Sequence, residues 1–404
     1  MELVNKKING ELLAPAGDLE CVEAALHYGA DAVYVGGRLL QLRAEKSGFT
    51  DEKLQEAVSK VHGKNKKLYV TVNCFAKDEE FELLPQYGKF LYESGVDAVI
   101  VSDLGVLSSI KKHCPDLQVH ISTQANCMNS ETARVYHDMG ASRIVLAREL
   151  SLEDIKTLRA KTPKELELEA FVHGAMCMAH SGRCLISSYI TNRSANRGEC
   201  AQPCRWSYYL VEKTRPGTYI PIEQIGEATQ ILSSHDLNCI SILKEIEEAG
   251  VCSFKIEGRM KTAYYVASVI SVYRRVMDGV LSIKDAEDEL AILNHRPYST
   301  GFYKGEVKKE PFNDGLYHYS GMFVAAVREK TENGAIIQTR NRFEVGETLE
   351  LMSPTCGVVP FVLEKIEGEN GEKEICNNPL EIVKINCPDC AVAGDMIRKR
   401  VEEC

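Results

Sequence analysis

The chain has 404 residues, of which 44% are hydrophobic, and this length favours two domains, each with its own core. Its formal net charge of -10 argues against broad, sequence-independent binding to nucleic acid, which depends on many Lys and Arg contacts to phosphate. The sequence shows no apolar signal segment and no run of about 18–20 apolar residues that would span a bilayer. We therefore expect a cytoplasmic protein with no membrane partner. Its 15 cysteines should not form a disulfide framework, because the cytosol keeps thiols reduced.

Eight short apolar segments alternate with helical segments, which is the pattern of buried parallel strands joined by helices. Capping side chains mark the starts of the predicted helices, at Asp18, Thr50, Asp103, Asn129 and Ser151. The pattern predicts an α/β fold, a (β/α)8 TIM-like barrel over residues 1–290. Its predicted strands are Glu11–Pro15, Ala32–Gly36, Leu68–Asn73, Ala98–Ser102, Val119–Thr123, Arg143–Arg148, Leu166–His173 and Ser253–Glu257.

The regular pattern is interrupted between residues 174 and 236 by a cysteine-rich insertion. Within it, Ser207–Glu212 and Tyr219–Ile222 alternate like the strands of a hairpin. Residues 291–314 are predicted to be a linker. The remaining residues, 315–404, contain strand-like segments separated by glycine turns, which predict a small C-terminal β-barrel domain.

Clustered cysteines in the insertion indicate a metal centre. Cys177 and Cys184 are separated by six residues, and Cys200 and Cys204 by three, whereas zinc sites more often place two or four residues between partners. Iron–sulfur clusters accept looser spacing, so they compete with zinc and with the absence of any metal. Cys177, Cys184 and Cys200 are the best candidate ligands. The fourth is Cys239, near the predicted return to the barrel, or Cys204, close to Cys200 along the chain.

A second set of cysteines lies in the predicted C-terminal domain. It contains Cys356, Cys376, Cys387 and Cys390, and the last two form a Cys-Pro-Asp-Cys half-site. These four cysteines could bind zinc. Few glycines and hairpin turns flank these cysteines, so cysteines without a metal are the default interpretation.

Polar residues follow several predicted strands, where the active sites of such barrels lie. His173 is a candidate acid or base, or a packed structural histidine. Lys255, Glu257 and Arg259 are candidates for catalysis and for anchoring a carboxylate or phosphate, with an internal ion-pair network as the alternative. The candidates for binding a cofactor or a small anion are Gln124, Asn126, Arg148, Arg193 and Arg197.

Several common catalytic motifs are missing from the sequence. It contains no His-Glu-x-x-His, no Gly-x-Ser-x-Gly elbow, no Walker lysine loop and no dinucleotide glycine fingerprint. This argues against the usual forms of zinc proteolysis, serine hydrolysis, nucleotide hydrolysis and Rossmann redox chemistry.

The run from Glu169 to Ser187, with the pattern Glu-x-Phe-x-x-Gly-Ala-Met-Cys-x4-Gly-x-Cys-x-Ile-Ser, resembles the signature of the peptidase U32 family. The resemblance covers nearly the whole chain. Its other blocks are Leu13–Asp18, Gly29–Gly37, Tyr69–Asn73, Ile121–Asn126 and Ser253–Lys261, and the block Arg197–Trp206 is most similar to the branch that hydroxylates tRNA.

The resemblance implies a [4Fe-4S] cluster held at the positions of Cys177, Cys184 and Cys200. It also implies RNA hydroxylation without molecular oxygen, with tRNA as a transient partner and prephenate, a small dianion, as the hydroxyl donor. The product would be 5-hydroxyuridine. No partner protein is indicated. The alternatives are a collagenase-like peptidase, after which the family is named, and a non-enzymatic module in which the metal only staples the insertion.

This sequence departs from the family pattern at two positions. Many related proteins have Asp-Leu-Cys where this chain has Asp236-Leu-Asn238, with Cys239 one place later, and this leaves the fourth ligand open. Gly48 stands where the family often has asparagine, so a ligand contact at that position is in doubt.

Overall fold

The computed structural model describes residues 7–42, 48–177, 181–191, 193, 195–206, 209–211, 219–221, 235–305 and 318–402. In the barrel region its strands are β1 (Glu11–Pro15), β2 (Ala32–Gly36), β3 (Lys67–Val72), β4 (Ala98–Val101), β5 (Gln118–Ile121), β6 (Arg143–Val145), β7 (Glu167–Ala175), β8 (Tyr209–Val211), β9 (Tyr219–Pro221), β10 (Asp236–Asn238), β11 (Ser253–Ile256) and β12 (Tyr298–Ser299). Its helices are α1 (Leu19–His27), α2 (Asp51–His62), α3 (Leu84–Glu93), α4 (Leu104–His113), α5 (Ser130–Asp138), α6 (Leu152–Ala160), α7 (Ile186–Thr191), α8 (Leu243–Glu248), α9 (Ala263–Met277) and α10 (Ile283–Leu290).

Eight parallel strands close into the predicted barrel. Strands β1 to β7 pair in sequence order, and β11 pairs with both β1 and β7, which completes the ring. All five predicted caps are confirmed, because Asp18, Thr50, Asp103, Asn129 and Ser151 each accept a hydrogen bond from a backbone N–H in the first turn of a helix. The predicted hairpin within the insertion is confirmed by the antiparallel pairing of β8 with β9.

Strand β7 extends beyond the barrel and takes a second partner there. Its last residues pair antiparallel with β10, Asp236 opposite Ala175 and Asn238 opposite His173. Gly174 has a φ of +105°, and a Cβ at this position would lie 2.6 Å from the carbonyl oxygen of Glu257. Glycine is therefore required where β7 crosses the end of β11.

The predicted linker, residues 291–314, is partly built into the barrel. Strand β12 pairs with β10, and the buried Arg296 guanidinium lies 2.6 Å from the Asp236 carboxylate. Tyr303 donates a hydrogen bond of 2.6 Å to the carbonyl of Phe171. The linker prediction is thus wrong for residues 291–305, because these polar contacts and apolar packing fix the segment against β7 and β10; residues 306–317 lie outside the described part.

The C-terminal domain is an antiparallel sheet. Its strands are β13 (Gly321–Thr331), β14 (Gly334–Thr339), β15 (Phe343–Glu344), β16 (Thr348–Ser353), β17 (Gly357–Val362), β18 (Ile366–Gly368), β19 (Gly371–Lys373), β20 (Ile375–Cys376), β21 (Ile382–Ile385) and β22 (Met396–Arg400). Eight of them form one sheet, from β17 at one end to β19 at the other. Leu349 and Leu351 near one end share a core with Ile366 near the other, so the sheet folds over a single apolar centre.

The cysteines of this domain differ from the expectation. Cys356 and Cys390 form a disulfide, because the turn after β16 meets the loop before β22. Cys376 is buried in the core and its sulfur lies 3.6 Å from the Glu381 carboxylate. The predicted absence of disulfides is therefore wrong for this pair, and the four cysteines do not converge as one set of metal ligands.

Helices α1 and α10 of the barrel contact the C-terminal sheet through buried polar groups. The Tyr28 hydroxyl donates to the carbonyl of Met352 at 2.8 Å and accepts from the N–H of Met396 at 2.9 Å. Arg398, which is 1% exposed, pairs with Glu289 of the barrel at 2.7 Å and with Glu350 of the sheet at 2.6 Å. Within the described ranges, no helix has the length and apolar character needed to cross a membrane.

Replacing Arg296 by leucine is expected to lower the free energy of unfolding by about 3–5 kcal/mol, because the buried Asp236 carboxylate loses the guanidinium that pairs with it. The matched change Arg342→Leu breaks an exposed pair with Glu344 and should cost about 1 kcal/mol or less. Urea unfolding followed by circular dichroism measures both losses. Equal losses in the two variants would contradict a structural role for the Asp236 pair.

Candidate active site

A cavity of about 80 Å³ lies at the carboxyl end of the barrel strands. Parallel barrels bring the residues that follow each strand to this end, so distant parts of the sequence meet there. The polar and charged residues that line it include Thr71, Asn73, Ser122, Thr123, Gln124, Arg148, Lys255, Glu257 and Arg259. The structure therefore brings together the three predicted strand-end residues of β11 and two of the predicted binding residues, Gln124 and Arg148.

Arg259 is held by the rim of the barrel. Its guanidinium donates to the Thr71 hydroxyl at 2.8 Å, to the Gln41 side-chain oxygen at 3.3 Å and to the carbonyl of Leu42. The residue is 6% exposed. A buried guanidinium fixed by several hydrogen bonds is preorganised to bind an anion, because little side-chain freedom remains to be lost.

Lys255 lies one layer deeper and belongs to a network of ion pairs inside the barrel. Its ammonium group contacts Glu169 at 2.6 Å, and Arg143 contacts Glu169 at 3.0 Å and Glu11 at 2.6 Å. Burial lowers the pKa of Lys255, although the Glu169 carboxylate opposes this shift. Burial would raise the pKa of Glu169, but Lys255 and Arg143 outweigh it and hold that pKa below its usual value. Lys255 thus belongs to the ion-pair network that was the alternative interpretation, and it also borders the cavity.

Arg148 and Glu257 form the rim on the side of the insertion. The Arg148 guanidinium donates to the carbonyl of Ala175 at 2.8 Å, lies 4.0 Å from the centre of the Phe171 ring, and approaches the Glu257 carboxylate at 4.0 Å. Glu257 is only partly buried. The rim therefore places an acceptor carboxylate between cations, which suits a ligand that carries both negative charge and a hydroxyl donor.

The four cysteines of the insertion line a second cavity, of about 200 Å³. Cys177 follows β7, Cys184 precedes α7, and Cys200 and Cys204 border the Cys-Ala-Gln-Pro-Cys turn. The two cavities share Leu42, Thr123, Gln124, Arg148 and Cys177 in their walls. The thiols and the cationic barrel end are therefore parts of one adjoining site.

Several contacts of the described residues hold the insertion on the barrel. The Glu149 carboxylate accepts from the N–H of Ser181 at 2.8 Å, and Arg197 pairs with Glu80 at 2.9 Å. Gly182 has a φ of +74°, and a Cβ there would lie 2.0 Å from the carbonyl oxygen of Gln124, so the two backbones touch. Arg197 was predicted to bind a cofactor, but its guanidinium joins Glu80 and the Phe75 carbonyl instead and lines neither cavity.

Backbone N–H groups near the thiols support one of the sulfurs directly. The N–H of Gln202 points at the sulfur of Cys200, 3.4 Å away, from a residue in left-handed conformation with a φ of +57°. The N–H of Ala201 donates to the buried Ser187 hydroxyl at 3.1 Å, which ties the turn to α7. Among the residues that the structure describes, no three His, Cys, Asp or Glu side chains already surround a point as ligands of a single ion.

Cys239 does not join the other thiols. Its N–H bonds to the carbonyl of Val172, five residues before Cys177, because β10 runs antiparallel to β7 and carries the chain away from the insertion. The side chain is fully buried in the barrel core, and burial raises the pKa of its thiol well above the usual value. Cys204, and not Cys239, therefore lines the cavity with Cys177, Cys184 and Cys200.

His173 does not face the cavity, although it ends a barrel strand. The pairing of β7 with β11 shifts register between Lys255 and Ile256. Because of this shift, His173 falls outside the alternation by which every second side chain of β7 points into the barrel. Its ring lies 5.5 Å from the rings of Tyr273 and Tyr298, and burial lowers its pKa to about 3. The packed structural histidine is the interpretation that fits, and a catalytic proton transfer at neutral pH does not.

Two family models match the chain. The model of peptidase family U32 matches residues 17–313, and that of the peptidase family U32 C-terminal domain matches residues 320–398. The chain belongs to the peptidase U32 family. The predicted resemblance is thereby confirmed.

Curated relatives of this U32 chain carry two kinds of name. The tRNA hydroxylation protein P1 of Bacillus subtilis is 36% identical over 401 residues, covering 96% of this chain and 94% of that protein. The tRNA hydroxylation protein P of Escherichia coli is 35% identical over 410 residues, 90% of each chain. A collagenase of Porphyromonas gingivalis is 31% identical over 388 residues, covering 89% of this chain and 90% of that protein.

Some predicted binding residues of the U32 chain lie away from the site, and some site residues were not predicted. Asn126 ends a short helical turn with a φ of +52°, and Arg193 is exposed; neither lines the barrel cavity or the cavity of the four thiols. Thr71 and Asn73, which do, follow the apolar core of β3. Their position at a strand end was the available signal, but a polar residue there also caps a helix in many barrels.

The stability of this U32 protein should fall as the pH drops below about 6.5, in part because of His173. The folded state keeps the ring neutral down to a pKa of about 3, whereas the unfolded chain binds a proton at ordinary pH values, so stability present above the unfolded pKa is lost on acidification. Between about pH 6.5 and pH 5 this group should account for about 1.5–2 kcal/mol of the loss.

The variant His173→Phe should remove that part of the pH dependence, whatever its effect on stability at neutral pH. Urea unfolding of the wild type and the variant gives the free energy of unfolding at each pH in this range, and the slope of that free energy against pH is compared between the two proteins. The exposed His113→Gln is the matched control for replacement of a histidine. A wild-type slope in His173→Phe would show that the ring is protonated in the folded state.

Proposed function

We propose that this chain is an RNA-hydroxylating enzyme in which Cys177, Cys184, Cys200 and Cys204 hold an iron–sulfur cluster. The observation that carries the proposal is the shared wall between the cavity of the four thiols and the cationic cavity of the barrel. It agrees with the names of the two tRNA hydroxylation relatives, which align over most of this chain.

The residues present fit a [4Fe-4S] cluster. A cluster is wider than a single ion, so its four sulfur ligands line a volume instead of meeting at a point. The N–H of Gln202, directed at the Cys200 sulfur, is the kind of hydrogen bond that stabilises thiolate and sets the potential of such centres. When bound, the cluster would mediate the electron transfer, and the hydroxyl donor would be the net oxidant: it would give its hydroxyl oxygen to the base and be left reduced by two electrons.

The protein's own part is to bind and orient a small anion beside this centre. Arg259 and Arg148 are fixed by hydrogen bonds to the barrel rim, and Lys255 is fixed by Glu169. Three cations around one cavity suit a dianion such as prephenate, the proposed source of the hydroxyl oxygen. The Glu257 carboxylate is placed to accept a hydrogen bond from a ligand hydroxyl. Uridine in tRNA is the proposed acceptor of the hydroxyl group, with 5-hydroxyuridine as the product.

Peptide hydrolysis is the competing function, because one relative is named a collagenase. A cysteine peptidase needs a histidine within hydrogen-bond reach of its thiol. No histidine among the described residues lines either cavity, and His173 is packed against tyrosines on the outside of β7. Among the described residues, the thiols therefore adjoin a cationic cavity and form no Cys–His pair.

The variant Cys204→Ala should lose the cluster, and Cys239→Ala should keep it, because only Cys204 lines the cavity with the other three thiols. Anaerobic purification, with iron and sulfide analysis and visible absorption, measures this; the wild type should carry about four irons and four sulfides per chain. A colourless, folded Cys239→Ala would assign the fourth ligand to Cys239. A colourless wild type that contains zinc would refute the iron–sulfur centre.

Deletion of the gene for this chain should abolish 5-hydroxyuridine in the host's tRNA. When the deletion strain is complemented with Arg259→Gln, the amount of 5-hydroxyuridine should be at least tenfold lower than with the wild type, because one charge-assisted anion contact is removed. Mass spectrometry of tRNA nucleosides measures the product, and iron analysis verifies that the variant is loaded. The exposed Arg38→Gln is the matched control.

The donor is tested with purified protein under anaerobic conditions. Prephenate labelled with oxygen-18 in its ring hydroxyl should transfer the label to the nucleoside. Unlabelled product would refute the proposed donor, and unchanged 5-hydroxyuridine in the deletion strain would refute the proposed substrate. Cleavage of gelatin that survives Cys177→Ala would favour the peptidase.

A further inference from the structure

A third cleft, of about 560 Å³, lies between the barrel and the C-terminal domain. One wall is the loop from Met260 to Thr262 with the start of α9, and the other is the segment from Tyr319 to Phe323 that leads into β13. The cleft is open to solvent along one side and does not border the thiols. The proposed hydroxylation at the barrel end does not itself use this cleft.

Aromatic rings dominate the lining of this cleft. Tyr264, Tyr265, Tyr319 and Phe323 all contribute, and the rings of Tyr264 and Phe323 stack at 5.2 Å with an interplanar angle of 3°. The stack joins the two domains, since Tyr264 lies on α9 and Phe323 on β13. Tyr264 and Tyr265 are buried, whereas Tyr319 and Phe323 are partly exposed. A partly exposed ring at the edge of an open cleft is a platform on which planar groups stack.

The charge of the cleft is unlike that of the whole chain. Lys261 lines it, with its ammonium 5.0 Å from the centre of the Tyr265 ring, and none of the described lining residues is a carboxylate. The chain as a whole has 58 acidic and 48 basic residues. An aromatic surface with a cation and without an acid is complementary to a nucleic acid strand, which offers both planar bases and phosphates.

The cleft is continuous with the proposed active site through one loop. Arg259, which lines the barrel cavity, immediately precedes Met260 and Lys261, which line the cleft. The Tyr265 hydroxyl donates to the carbonyl of Glu257 at 3.3 Å, so the cleft wall is bonded to the rim of the cavity. A chain-like substrate whose reactive unit enters the barrel would pass its neighbouring units across this loop.

We propose that the cleft binds unpaired nucleotides of the substrate RNA that flank the reacting nucleotide. Their bases stack on the partly exposed rings of Tyr319 and Phe323, and a phosphate lies at Lys261. This inference rests on the proposed function for its RNA class. Sequence-tolerant stacking with one or a few cationic contacts is how proteins hold single strands. Thr262 and the exposed Asn294 add hydrogen-bonding groups for base edges.

The test uses the full-length, cluster-loaded protein and a fluorescent single strand of oligouridylate, with the same strand annealed to oligoadenylate as the duplex probe. The variant Phe323→Ala should raise the Kd for the single strand roughly tenfold to a hundredfold, the effect of losing one stacked base. Lys261→Ala should reduce the slope of log Kd against log salt by about 0.7. Tyr92→Ala, an exposed tyrosine on α3, is the matched control and should leave the Kd unchanged.

Iron content and unfolding temperature verify that each variant is folded and loaded, and Lys261→Ala keeps the test valid if Phe323→Ala does not fold. Wild-type affinity in both variants, equal affinity for the duplex, or displacement of the strand by gelatin peptides would overturn the inference. Hydroxylation of RNA with an unchanged KM in Phe323→Ala would also overturn it and leave the proposed function intact. Failure of the wild type to hydroxylate RNA overturns the proposed function, while the binding measurements still report on the cleft.

Discussion

Strand β7 has to satisfy two partners of opposite direction along nine residues, and the rest of the site depends on this constraint. In its first part, β7 closes the barrel against β11 in parallel; in its last part, it pairs antiparallel with β10. The change of partner requires the register shift opposite Ile256 and the glycine at 174. As a result the strand continues past the barrel rim and carries Cys177 to a position above the cavity.

The same strand organises the charges. Glu169 lies within the barrel, where Arg143 and Lys255 hold its pKa below the usual value against the effect of burial. This arrangement fixes Lys255 near the cavity without exposing it to solvent. An acidic protein thereby presents a local concentration of positive charge, because Arg148 and Arg259 face the same volume. The average charge of the chain says little about the ligand that its cavity can bind.

The sequence predicted the local features well, since they depend on nearby residues. Helix caps such as Asp103 and Ser151, and the eight barrel strands, follow from short-range hydrogen bonding and apolar runs. The positions that the sequence did not predict are those of His173, Cys239 and residues 291–305, which depend on a register shift, on an antiparallel return and on a buried ion pair with Asp236. Each of these involves pairing between distant segments, which no local pattern encodes.

The segment after α10 contributes to the candidate site, although it lies beyond the last helix of the barrel. Apolar patterning ends the barrel near Leu290, yet Phe302 lines the cavity of the four thiols and Tyr303 bonds to the strand beneath it. A chain truncated after the last helix of the barrel would therefore keep most of the barrel core and lose one wall of the cavity of the four thiols. The chain beyond the eight barrel strands thus builds part of the site that those strands present.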